Sequence, residues 1–108
     1  MAQKILITKY NYNLPHIEFR KLLLSVAGDF AAVPDCQWKI WLIDEEKNEG
    51  GAVYLFNNEN ALKTFTESPL VQSVLVHPAL SNFDFRITDI LSEPGAITRA
   101  PIMEAATA

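Results

Sequence analysis

The 108-residue sequence predicts an α+β domain, a ferredoxin-like βαββαβ plait whose four-stranded antiparallel sheet carries its helices on one face. Three observations predict it. A β-branched stretch is followed by an amphipathic helical pattern. Two strand patterns then follow with no helix between them. A second helical region and a final alternating strand complete the order. The central pair of strands excludes a doubly wound parallel sheet, which needs a helix between most strands.

Each element has its own signals. Gln3 to Tyr10 is β-branched and apolar and ends at Asn11-Tyr12-Asn13. Asn13 is the expected cap of the first helix, with Pro15 in its first turn. Phe19, Leu22, Leu23, Val26, Ala27 and Phe30 recur at helical spacing, so the helix should end near Ala27 or Phe30, before the Val33-Pro34-Asp35 turn. Gln37 to Ile43 and Ala52 to Phe56 read as the arms of a hairpin. The acidic loop from Asp44 to Glu49 joins them, and Gly50-Gly51 reads as a turn needing positive φ. Asn57 or Asn58 should cap a helix to about Glu67, with Ala61, Leu62 and Phe65 inward. Ser68 and Pro69 start a short helix with Leu70, Val71, Val74 and Leu75 as its apolar face, and Pro78 ends it. From Asn82 to Ile90, Phe83, Phe85 and Ile87 alternate against Asp84, Arg86 and Thr88. One domain should span residues 1–108, with about 92–108 as an extended tail.

Composition narrows the function. The net charge of −4, with no basic cluster, argues against a nucleic-acid or anionic-membrane surface. No window approaches the ~20 apolar residues of a membrane span. Cys36 stands alone, which fits a reducing compartment, and Ile5 to Ile7 is too short an apolar run for a signal peptide. A soluble, cytoplasmic protein is expected. The two histidines, His16 and His77, fall in different elements, so no metal site is expected. No nucleophile-elbow or phosphate-loop pattern occurs.

The hairpin carries the functional signal. Trp41 opposite Tyr54 would place Lys39 opposite Phe56 and Ile43 opposite Ala52. The aliphatic set Ile40, Leu42, Val53 and Leu55 suits packing beneath helices. Lys39, Trp41, Tyr54 and Phe56 would then lie on the open face, an apolar patch that needs cover. A homodimer is the expected solution, two sheets closing into a barrel with the aromatics inside. Alternatively the C-terminal tail covers the patch or reaches across to the partner chain. Trp38, Trp41, Tyr54 and Phe56 are either the walls of a pocket for a small, flat aromatic molecule or plain dimer core. Lys39 and the Tyr54 hydroxyl favour the pocket, because an apolar core gains nothing from them. A ligand site would need a cavity of about 300 Å³ or more. Tyr54, Lys39 and His77 are the candidate catalytic residues. His77, at the end of the short helix, is either a general base near neutral pH or a surface histidine.

Trp38-Lys39-Ile40-Trp41, the acidic loop with Glu45 and Glu49, and Gly51-Ala52-Val53-Tyr54-Leu55-Phe56 together resemble the YdhR family, whose members carry the name mono-oxygenase. Ala96-Ile97-Thr98-Arg99-Ala100-Pro101-Ile102 resembles that family's C-terminal segment. Ala52 stands where the family's second glycine is expected. The resemblance implies the dimeric α+β barrel superfamily. It also implies a mono-oxygenase using O₂ without flavin, metal or haem on a phenol, anthrone or quinol-like substrate. Trp41 and Tyr54 would wall the pocket, with Tyr54 or Lys39 hydrogen-bonding the oxyanion. The same barrel also serves other reactions, so a non-catalytic, ligand-binding or stress-associated dimer is the alternative.

Overall fold

A computed structural model describes residues 2–102. The elements are β1 (Lys4–Tyr12), α1 (His16–Ala31), β2 (Cys36–Asp44), a tight helical turn (Glu45–Lys47), β3 (Glu49–Phe56), α2 (Glu59–Thr66), α3 (Pro69–Leu75), β4 (Leu80–Asp89) and α4 (Ser92–Ile97). All strand pairs are antiparallel and the sheet order is β2-β3-β1-β4. This is the expected ferredoxin-like arrangement, with β1 and β3 central. Of the two expected candidates Asn58, not Asn57, caps α2, and Ser68 caps α3 as expected, accepting from the Ala61 and Val71 amides. Asn13 caps nothing. Its amide donates to the Ala79 carbonyl, and Pro15 holds the N-cap position of α1 with no side-chain cap.

The hairpin register differs from the expectation by two residues. Trp41 pairs with Ala52, Lys39 with Tyr54 and Ile43 with Gly50. The reason lies in the connection. Asn48 supplies the left-handed residue (φ 51°) after the tight turn, so Gly50 and Gly51 are free to join β3. Neither glycine has positive φ. Gly51 is instead required by close approach, since a Cβ there would meet the Thr8 carbonyl oxygen at 2.2 Å.

The two faces of the sheet are the reverse of the expectation. A two-residue shift preserves each face's set of side chains, but the aromatic set is the one beneath the helices. Tyr54 and Phe56 are buried with Leu6, against Leu62 and Phe65 of α2 and Val71 of α3. Phe65 packs 5.1 Å from the Tyr54 ring and 5.2 Å from the Phe56 ring. The physical reason is area: each aromatic ring hides more apolar surface than an aliphatic side chain, and helix aromatics are there to meet it. The aliphatic set faces the other way, leaving Ile40 49% and Leu42 43% exposed. The aromatics are therefore covered within one chain, and a barrel closing around them is not what hides them.

The C-terminal segment is not simply extended. Ser92–Ile97 forms α4, Arg99 turns the chain at φ 66°, and the Pro101 carbonyl accepts from Trp38 Nε1 at 2.6 Å. The segment thus folds onto its own chain's outer face, beside Leu55, which pairs with Trp38 and is fully buried. The rest of the expected tail, 103–108, lies outside the described residues.

Candidate functional site

The apolar stripe of α1 rests on the sheet at its two ends. Near its start, Phe19 stacks on Tyr12 with ring centroids 3.8 Å apart, above Gly50, where a Cβ would press on the Phe19 ring at 2.8 Å. Near its end, Phe30 meets Trp41 edge-on at 5.5 Å and Phe65 at 6.2 Å. Between these supports Leu22, Leu23 and Val26 are only half-buried, because they roof a cavity of about 120 Å³. Thr8, Lys39, Trp41, Ala52 and Tyr54 form its floor. Val74 and His77 line it from α3 and the turn beyond, and Phe83 and Phe85 from β4.

Lys39 lines this cavity, and its amine lies among three of the rings that line it. Its Nζ is 3.4 Å from the Phe30 ring centroid, 3.5 Å from that of Trp41 and 4.8 Å from that of Tyr54. No carboxylate among the described residues pairs with it. Burial pulls its pKa down to about 7, against a weaker upward pull from Cys36. The ring faces hold the ammonium form by cation–π attraction. The amine therefore exchanges a proton near neutral pH, which an exposed lysine does not do. Burial also pushes the Tyr54 phenol well above its usual range, so it keeps its proton. Neither the Tyr54 hydroxyl nor Trp41 Nε1 has a hydrogen-bond partner among the described residues. His77 Nδ1 accepts from the Ala79 amide at 3.1 Å, which leaves Nε2 as its free nitrogen.

The sequence profile of the family described as "Putative mono-oxygenase ydhR" matches residues 5–101. The chain belongs to the ydhR family. No curated protein matches it. Solved structures of similar fold include the cofactor-independent oxygenase SnoaB from Streptomyces nogalater. At 15% identity, the match has a TM-score of 0.68 and covers 84% of this chain and 95% of that one. A protein from Deinococcus radiodurans described as a "putative antibiotic biosynthesis monooxygenase" is 16% identical at TM-score 0.66, covering 81% and 91%. Rv0793 from Mycobacterium tuberculosis is 18% identical at TM-score 0.66, covering 85% and 98%. At these identities the likeness is one of fold.

In this ydhR-family chain the structure brings together Lys39, Trp41, Tyr54 and His77 of the residues singled out in the sequence. Phe56 is fully buried core against Tyr54 and Phe65 and does not line the cavity. Trp38 points to the opposite face. Phe30 is one residue that sequence reasoning missed, as it did Thr8, Phe83 and Phe85. Phe30 counted as one more member of a helical stripe, and only the end of α1 crossing β2 carries it to Lys39. The cavity is also smaller than the ~300 Å³ expected of a ligand site. Among the described residues, no cluster of His, Cys, Asp and Glu is placed to hold a metal ion, and no helix is long and apolar enough to cross a membrane.

Proposed function

We propose that this chain is a cofactor-independent mono-oxygenase for a small phenol, hydroquinone or anthrone, with Lys39 as the base. The observation that carries this reading is the Lys39 amine, held among three ring faces at the floor of an apolar cavity. A neutral amine there accepts the substrate's acidic proton, and the resulting ammonium remains beside the anion it has made. Tyr54, kept protonated by burial, is a donor for the same oxyanion. An electron-rich anion reacts with O₂ directly. Phenol plus O₂ gives para-quinone plus water, with every electron drawn from the substrate. SnoaB, an oxygenase of similar fold described as cofactor-independent, supports a reaction without flavin, metal or haem. A cavity of about 120 Å³ suits a single ring, and a fused-ring substrate requires α1 and α3 to part.

The working unit in this reading is a homodimer. Ile40 and Leu42 lie exposed on the sheet face opposite the helices, on the same face as Ile7 and Val53. A second copy is the simplest cover for that surface.

Oxygen uptake and product mass against a panel of hydroquinones and anthrones, with and without added flavin and metal, tests the proposal. The expected result is turnover of a single-ring substrate without additives, lowered about 100-fold or more in Lys39→Met. Binding of the same compounds without oxygen uptake would favour the non-catalytic module, which the small cavity suits.

A further inference from the structure

We propose that Lys39 is also a covalent site, whose amine condenses with small planar aromatic aldehydes to form an imine inside the cavity. The inference rests on the cavity, the amine and the Tyr54 hydroxyl beside it. It requires no oxygen, so it stands or falls separately from the oxygenase reading.

Three features of the site converge on it. Lys39 lines the cavity, and its nitrogen is tied up by no carboxylate among the described residues. Its immediate surroundings, Phe30, Trp41 and Tyr54, are aromatic, so an aryl aldehyde whose carbonyl carbon reaches Nζ meets apolar walls that suit its ring. The proton needed for the second half of the reaction is also at hand. Imine formation joins N to C, and both amine hydrogens leave with the carbonyl oxygen as water. The departing oxygen takes a proton from a donor, and the Tyr54 hydroxyl is a protonated donor with no partner among the described residues. No oxidant or reductant enters. The volume of about 120 Å³ restricts the class to one ring bearing an aldehyde. Buried, desolvated lysines are the usual amines for such chemistry, because the nucleophile is the neutral form.

Benzaldehyde with sodium cyanoborohydride, under nitrogen at pH 7, traps an imine as a stable benzyl amine that peptide mass spectrometry locates. An amine titrating near 7 is unprotonated about a thousandfold more often at that pH than an ordinary lysine. Its lower basicity returns part of this. The expected result is benzylation of Lys39 about tenfold or more faster than of Lys21 or Lys63. Lys39→Met and Lys39→Arg should lose this fast phase, so that their total labelling falls below that of the wild type. Lys39→Arg keeps the cation and the bulk, so its circular dichroism shows that loss of labelling is not loss of fold. Labelling of the wild type spread evenly over its lysines, or equal total labelling of the variants, would overturn the proposal.

Discussion

Lys39 Nζ lies 3.5 Å from the ring centroid of Trp41, two residues along the same strand and on the same face of the sheet. Two opposing effects meet in that pair. Burial disfavours the ammonium, while the ring face attracts it, and burial wins. Trp41→Leu keeps an apolar wall and removes the ring. The Lys39 midpoint should then fall further, by up to about one pH unit. Side-chain carbon resonances followed through a pH series would show it, and a rise would contradict the assigned balance.

Lys39 should also leave a signature in stability. Its pKa is lowered in the folded chain, from 10.5 to about 7, so between those values the unfolded state binds more protons and stability rises with pH. The penalty is complete below about pH 7 and relieved as pH approaches 10.5, by at most about 1.4 kcal/mol per unit. Lys39→Met lacks this penalty. Urea unfolding should find the variant more stable than wild type at pH 6, with the gap closing by pH 10. A gap independent of pH would contradict a buried, titrating amine.

At the other side of the hairpin, Gly51→Ala should be costly and Asn48→Gly mild. The added methyl would meet the Thr8 carbonyl oxygen, forcing apart the central strands β1 and β3. A loss of about 1–3 kcal/mol is expected on overpacking grounds. Asn48 already occupies a left-handed conformation that glycine adopts freely. Thermal melts of the two variants check the contrast, and the reverse order would contradict the register.

The outer face gives a prediction about assembly. Ile40 and Leu42 are exposed there, and charge on that face should prevent association. Light scattering should give the wild type about twice the 12.1 kDa of one chain. The double variant Ile40→Lys, Leu42→Lys should give one chain's mass with the helical signal intact. A wild-type mass of one chain would contradict the homodimer.

These residues show what the sequence made legible. Strand and helix periods placed every element of the plait, because period and capping are local signals. Ser68 was readable as a cap for that reason, and the α2 cap was narrowed to Asn57 or Asn58. The hairpin's two sets of side chains were also readable, since alternation alone separates Trp41 and Tyr54 from Ile40 and Leu42. Which set meets the helices was not. That depends on how Phe30 and Phe65 pack against Tyr54, contacts between elements distant in sequence. The same limit hid Phe30 from the site and kept Trp38 and Phe56 in it. A lysine placed among aromatics signalled the site, and only the path of α1 showed that its own chain encloses it.

Lys39 as a neutral-pH base in an aromatic cavity is the centre of the functional reading. Its most direct test is the titration of the Lys39 side chain itself, with the lysine ε-carbons labelled with ¹³C and the resonance assigned by its absence in Lys39→Arg. A midpoint at about pH 7, clear of the other lysines, is the predicted result. A midpoint near the ordinary lysine value of about 10.4 would show the amine solvated and contradict it.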